Sequence, residues 1–305
     1  MKILVTGGAG FIGSNIVDAY IAAGHDVVVL DNLSTGRIKN LNKKAEFVQL
    51  DIQDDLSALF SEHKFDVVNH HAAQMDVRRS VEDPIFDART NVLGFINILQ
   101  NCAKSGVNKV IFASSGGAIY GEQDYFPADE KHKTQPYSPY GITKLVGEKY
   151  LFFYHLTYNL NYVVLRYANV YGPRQNPHGE AGVVAIFTKK LLDGEQPVIN
   201  GDGKQTRDFV FVRDVVKANM LALDYEQSDI FNVGTGVETN VNQLYQAINK
   251  LTGKNMPEKH APAKEGEQMR SVVDHTKIQT VLGWKQDYDL EQGLKETVEY
   301  FRSNE

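Results

Sequence analysis

Over the first 110 or so residues, short runs of β-branched and other apolar residues alternate with stretches whose apolar positions recur every three or four residues. The runs at 2–6, 26–30, 46–50, 66–70 and 109–113 predict strands, and the stretches at 11–23, 55–63, 85–105 and 138–157 predict helices. A further strand is expected at 162–166. Strands separated by helices need crossover connections, so the pattern predicts a parallel sheet covered on both faces, a doubly wound α/β domain over 1–170. After Tyr171 the alternation stops. Gly172, Pro173, Pro177, Gly179 and Gly182 crowd one stretch, and shorter helical patterns follow at 183–192, 242–251 and 290–301. That texture predicts a smaller mixed α/β domain over 171–305. Within it, 208–223 reads as a strand followed by a helix, and the segment near 208–235 is the candidate to return to the first domain.

Composition narrows the class. The 305 residues are 42% hydrophobic and 23% charged, as in a soluble globular chain with a buried core. Thirty-two Lys+Arg against 38 Asp+Glu leave a formal charge of −6, which argues against a nucleic-acid partner but not against a small anion held by local donors. Cys102 is the only cysteine, so neither an intrachain disulfide nor a cysteine-based zinc cluster is expected. His70-His71 on a strand would point to opposite faces, and no His-x-His or His-Glu-x-x-His occurs, so no metal is expected. The Ile3-Leu4-Val5 run is too short for a secretory leader and no stretch approaches a membrane span. The expectation is a cytoplasmic protein with no membrane partner.

Candidate chemistry begins at Thr6-Gly7-Gly8-Ala9-Gly10-Phe11-Ile12-Gly13, between the first strand and the first helix. Gly7 and Gly10 permit a tight turn and close backbone approach, and Gly13 lets helix pack on sheet. The helix start then favours a diphosphate, which points to a Rossmann-type dinucleotide site. Asp31 closes the second strand, where a carboxylate accepts both ribose hydroxyls and repels a 2′-phosphate, favouring NAD over NADP. A turn cap at Asp31-Asn32 is the alternative, and nearby Arg37 keeps NADP open. Asp51-Ile52, after the third strand, is placed to meet the adenine edge, with a simple turn aspartate as the alternative. In Ser138-Pro139-Tyr140-Gly141-Ile142-Thr143-Lys144, Ser138 suits an N-cap and Pro139 the first helical position. Tyr140 and Lys144 are then neighbours one turn apart. A phenol of reference pKa ~10 is a poor base at neutral pH, and an adjacent ammonium favours the phenolate.

These motifs carry a resemblance. With LDNLSTG at 30–36, HHAAQMDVRRS at 70–80, SSGGAIYG at 114–121, LRYANVYGPRQ at 165–175, GDGKQTRDFV at 201–210 and FNVGTG at 231–236, the chain resembles the extended short-chain dehydrogenase/reductases nearly end to end. Within them it is similar to the UDP-glucose 4-epimerase-type nucleotide-sugar epimerases. The resemblance implies NAD as cofactor, a UDP-hexose as substrate and a homodimer. It implies that Tyr140 takes the proton from the sugar 4′-hydroxyl while the C4′ hydride moves to NAD, and that the 4-keto sugar turns and takes it back on the other face. Lys144 would bond the nicotinamide ribose. Phe11, Ile12, Asn32, Ser34, Thr35, Gly36, His71, Ala72, Ala73, Gln74, Asn91, Ser114 and Tyr167 would line the cofactor. Asn169, Val183, Arg207, Lys264 and Glu267 would hold the substrate.

Two departures bear on this. Many such epimerases carry a hydroxyl residue where Gly116 stands, so Ser115 is the substitute for holding the 4′-oxygen, with Ser114 behind it. Lys264-Glu265-Gly266-Glu267 stands where relatives often read Arg-x-Gly-Asp, and a lysine lacks the bidentate fork. A 4,6-dehydratase would need an Asp-Glu pair near 116–117; both positions are glycine, and neither moves a proton. Ser271 matches a place where relatives carry a bulky aromatic or a small residue facing the 2′ substituent, and serine leaves room for an N-acetyl group. A 4-epimerase of UDP-N-acetylglucosamine or UDP-glucuronate is therefore the alternative, and a non-catalytic dinucleotide-binding protein a more distant one. The helical stretches at 85–105 and 138–157 are the candidate dimer face.

Overall fold

A computed structural model describes residues 1–177, 182–263 and 268–304. Strands β1 (Lys2–Thr6), β2 (Asp26–Leu30), β3 (Glu46–Val48), β4 (Val67–His70), β5 (Lys109–Ser115) and β6 (Asn161–Tyr167) are all parallel. Six helices lie among them: α1 (Phe11–Ala22), α2 (Ser57–His63), α3 (Val77–Glu82), α4 (Pro84–Ala88), α5 (Gly94–Ser105) and α6 (Pro139–Tyr158). Successive strand residues face opposite sides. Ile3, Val5, Val27 and Val29 pack with Ile16, Val17 and Tyr20 of α1, while Leu4, Val28 and Leu30 pack with Phe95 and Leu99 of α5 and Leu151 of α6. Both faces are covered, so the strands read as nearly unbroken apolar runs.

The stretch expected as one helix at 85–105 is divided. A π-helical turn at Arg89–Leu93 joins α4 to α5 and turns Asn91 inward. Helix α3 was not expected: its apolar residues Val77 and Val81 are exposed, so it offers no core-facing period. Helix α6 begins as its sequence predicts, with the Ser138 hydroxyl accepting from the Gly141 amide at 3.1 Å and Pro139 in the first turn.

Beyond α6 the chain builds β7 (Asn169–Tyr171), α7 (Val183–Asp193), β8 (Ile199–Asn200), β9 (Thr206–Phe211) and α8 (Val212–Asp224). Strand β10 (Asp229–Val233) then pairs with β6, giving the sheet order β3-β2-β1-β4-β5-β6-β10. Helix α8 belongs to the same core through Val215, Ala218 and Ala222. The remaining elements are β11 (Glu238–Asn240), α9 (Val241–Thr252), β12 (His260–Ala261), β13 (Arg270–Ser271), α10 (Thr276–Leu282) and α11 (Leu290–Ser303). A small sheet centres on β9, flanked by β7, β11 and β13, and β8 pairs with β12. A separate core of Phe187, Leu191, Phe209, Leu244, Ile248, Leu294 and Val298 holds α7, α9 and α11 together.

Candidate active site

The order of the large sheet reverses between β1 and β4, and a crevice opens at the carboxyl ends of strands beside such a switch point. There the structure has a cleft of about 730 Å³ whose walls include Phe11, Ile12, Ser115, Tyr140, Asn169 and Arg207. At its cofactor end Gly7 has φ +69°, a left-handed conformation, and a Cβ there would stand 2.7 Å from the Ala72 amide. A Cβ on Gly13 would collide with the Gly7 carbonyl, so turn and helix meet only because Gly13 is bare. Gly10 is the N-cap of α1 and supplies no side-chain cap, which leaves the first-turn amides available to an anion. This cradle fits a dinucleotide diphosphate.

Asp31 is buried, and its carboxylate accepts from the Ala9 amide at 3.0 Å and the Leu33 amide at 2.8 Å. Burial pushes its pKa up while those two bonds pull it down. It therefore caps the turn as well as closing the strand. A Cβ on Gly36 would lie 2.6 Å from Asp31 Oδ1, which explains the glycine. Asn32 Nδ2 donates to Asp51 at 2.7 Å and its Oδ1 accepts from the Ser34 amide, bridging the ends of β2 and β3. The side chain of Ile52 is buried in the core, where its Cδ1 packs on Gly94, so Asp51 is the polar group at that end.

The turn at 71–74 runs along the cofactor end. Ala72 donates to Thr6 Oγ1, and His71 Nε2 stands 3.1 Å from the Tyr167 hydroxyl. Burial and then the Lys144 ammonium push the His71 pKa down to about 3, so the ring is neutral. Asn91 is spent within the protein: its Oδ1 accepts from the Gln74 amide, and its Nδ2 donates to the Gln74 carbonyl, Asp87 and Thr143. It acts on the cofactor end by holding the 71–74 turn.

Tyr140 and Ser115 line the cleft from α6 and β5. Lys144 is buried, donates to the Ala113 carbonyl at 2.8 Å, and places Nζ 5.8 Å from the centre of the Tyr140 ring. Burial lowers its pKa to about 8, with the Asp87 carboxylate pulling the other way. Behind Ser115, Ser114 donates to Glu148 Oε1 at 2.6 Å, and Arg166 grips the same carboxylate at 2.9 and 2.6 Å. Both charged groups are buried. Glu148 follows Lys144 by four residues and Tyr140 by eight, so one helix face carries all three.

The Gly116 departure takes on a different meaning here. A Cβ on Gly116 would meet Val273 at 3.0 Å and the Arg166 carbonyl at 3.2 Å, and Gly116 is not among the described cleft residues. Gly117 does line the cleft, and a Cβ there would stand 3.3 Å from Asn169 Oδ1 and 4.0 Å from Ser115 Oγ. On the far wall stand Asn169, Val183 and Arg207, with Arg207 donating to the Thr206 carbonyl at 2.8 Å. Asp208 beside it is buried and accepts from the Thr235 amide and hydroxyl, the Gly236 amide and the Val273 amide. Ser271 is buried in β13, in register with Arg207, and is not among the described cleft residues. Lys264 and Glu267 lie outside the described residues. Glu148, Arg166, Asp87 and Asp208 were not anticipated from the sequence. The four-residue spacing from Lys144 was the available signal for Glu148.

Residues 3–234 match the model of the NAD dependent epimerase/dehydratase family. The chain belongs to that family. Among relatives of this family member, the UDP-glucose 4-epimerase of Mycolicibacterium smegmatis is 48% identical over 311 aligned positions covering 99% of both chains. The crystal structure of Thermotoga maritima UDP-glucose 4-epimerase with UDP-glucose superposes with a TM-score of 0.98 at 50% identity, covering 100% of this chain and 99% of that one. That of Thermus thermophilus UDP-glucose 4-epimerase in complex with NAD has a TM-score of 0.95 at 43% identity, with 99% of each chain covered.

Proposed function

We propose that this family member epimerises C4 of a UDP-hexose, interconverting UDP-glucose and UDP-galactose. The observation that carries the reading is the placement of Tyr140 and Lys144 one turn apart on α6, with Tyr140 and Ser115 lining a cleft whose wall also includes Phe11 and Ile12, the first residues of α1 after the glycine turn. NAD, when bound, supplies the acceptor for the C4′ hydrogen and returns it to the opposite face of the ring. The chain does the rest. The Tyr140 phenolate takes the 4′-hydroxyl proton and returns it at the end of the cycle. The Lys144 ammonium favours the phenolate, and the Ser115 hydroxyl steadies the 4′-oxygen. Asn169 and Arg207 hold the diphosphate, with Val183 beside them. In this reading residues 1–170, with the returning 212–233 segment, hold NAD, and the remainder of 171–305 holds the nucleotide sugar. Gly117 on the cleft wall has no proton to give, which speaks against dehydration.

The same proposal makes the protein a cytoplasmic homodimer. Leu93, Phe152, Phe153 and Leu156 on the π turn and α6 are all at least half exposed, an apolar face suited to a second copy. No helix among the described residues is long and apolar enough to cross a membrane. The test is product analysis. Purified protein given UDP-galactose and no added cofactor is expected to form UDP-glucose until equilibrium. A stoichiometric NAD requirement with accumulating NADH would overturn the reading.

A further inference from the structure

Asp87 of α4 is fully buried, and its carboxylate joins parts of the site that lie far apart in the chain. Its Oδ1 accepts from Gln74 Nε2 and from Asn91 Nδ2, each at 3.0 Å, and its Oδ2 accepts from the Thr143 hydroxyl at 3.1 Å. The two amides cannot be turned round. Gln74 Oε1 accepts from the Asp76 amide and its Nε2 donates to the Asp76 carbonyl. Asn91 Oδ1 likewise accepts from the Gln74 amide, and its Nδ2 donates to the Gln74 carbonyl. Backbone groups therefore fix the donor end of both side chains toward Asp87. Two fixed donors on one oxygen favour the ionised carboxyl. Gln74 belongs to the turn at the cofactor end, and Thr143 stands between Tyr140 and Lys144, its hydroxyl also 2.9 Å from the Tyr140 carbonyl.

Lys144 is the cation that acts on Asp87, and Asp87 is the carboxylate that opposes the burial pushing the Lys144 pKa down to about 8. The groups around the ammonium from the other elements carry no negative charge. The Ala113 carbonyl accepts its bond, the Phe112 ring centre lies 5.1 Å away, and burial with the ammonium itself keeps His70 and His71 neutral. Glu148, one turn further along α6, is paired with Arg166. We propose that Asp87 is a positioning residue for the epimerisation: through Thr143 it fixes the turn that carries Tyr140 and Lys144, and its charge keeps Lys144 an ammonium. The inference rests on the reading of the cleft given above. A lysine buried without a counter-charge gives up its proton, and a neutral amine lends the Tyr140 phenolate no support. Asp87 is not among the described cleft residues, so it acts on the chemistry through its neighbours.

The test compares holoenzymes. Lysines labelled at the ε carbon are titrated by NMR, with the Lys144 signal assigned by its loss in Lys144→Met. Asp87→Asn keeps the size of the side chain and an oxygen for Gln74 and Asn91. Its new amide donates to Thr143, whose own proton turns to the Tyr140 carbonyl, so the variant removes charge and little else. Lys144 is expected to lose its proton about one pH unit below wild type, the effect of a charge within roughly 12 Å at an effective dielectric constant of about 20. The alkaline fall of kcat should move down with it. Thr143→Val cuts the bond to α6 and keeps the charge. There kcat should fall about tenfold or more from a misplaced turn, while Lys144 titrates as in wild type. That second variant keeps the test open if Asp87→Asn folds poorly. Lys144 titrating alike in wild type and Asp87→Asn, or full turnover by Thr143→Val, would overturn the proposal. A wild-type protein without epimerase activity would sink the reading of the cleft instead, and the NMR comparison would still decide whether Asp87 holds the ammonium.

Discussion

The two ends of the cleft are made of different material. At the cofactor end the working surface is backbone: Gly7, Gly10 and Gly13 clear the way, and the uncapped first turn of α1 faces the space they leave. At the proposed sugar end it is side chain, and the candidate residues make buried polar contacts or stand next in the chain to residues that do. Lys144 leans on Ala113, Ser115 follows Ser114 on the Glu148–Arg166 pair, and Arg207 is followed by Asp208, which ties the 234–236 loop to β9. The first end is specified by what a short stretch lacks. The second needs residues far apart in the chain to arrive together.

Replacing Tyr140 by Phe should separate the two ends most sharply. Turnover is expected to fall ~10²–10⁴-fold while NAD retention stays near wild type; more than about a tenth of the activity remaining would exclude the base role on the same scale. Glu148→Ala attacks the supporting layer. It strands the Arg166 guanidinium in the interior, so a loss of ~3–5 kcal/mol in denaturant-measured stability is expected. A loss below ~1 kcal/mol would mean water reaches Arg166 and the pair is not what holds the strand end.

Lys144→Met tests the electrostatics of the sugar end in cofactor-free protein. In the unfolded chain the lysine stays protonated up to about 10.5, in the fold only up to about 8. The unfolded state therefore binds more protons between those values, and wild-type stability rises with pH through that window. Below it the buried ammonium costs up to ~3 kcal/mol, so the methionine variant should melt above wild type there, with the gap closing toward pH 10.5. A gap independent of pH would place the lysine in water. The smallest effect is expected at the backbone end, where Gly13→Ala forces α1 away from the Gly7 turn. We expect ~1–3 kcal/mol of destabilisation with faster NAD release, read by melting and by dilution; unchanged retention would mean the cradle does not hold the diphosphate.

The contrast also explains what could be read in advance. Strands 2–6 and 26–30 match β1 and β2 residue for residue, because a strand buried on both faces reads as a nearly unbroken apolar run, here at 3–5 and 27–30. The glycine turn and the Tyr140–Lys144 spacing were legible for the same local reason. Helix α3 was not, since its valines face outward. Neither were Arg166, Glu148 and Asp208. In one dimension a buried charge looks like a surface charge, and only the pairing of β5 with β6 and the packing of α6 bring the partners together. Asn91 shows the same limit from the other side: its motif position suggested a cofactor contact, and its bonds to Gln74, Asp87 and Thr143 could not be read from the sequence.

Gly117 has a consequence for selectivity. At Gly117 the wall offers no side-chain partner that one configuration of a hydroxyl could satisfy and the other leave unsatisfied, so discrimination there falls to the neighbouring Ser115 and Asn169. In the proposed reaction both C4 epimers would meet the same bare surface beside Ser115 and Asn169 and be held by the nucleotide they share. The ratio of kcat/KM in the two directions equals the solution equilibrium constant for any catalyst, so what the bare wall governs is how KM and kcat divide within each direction, and it adds no side-chain bias of its own toward either epimer.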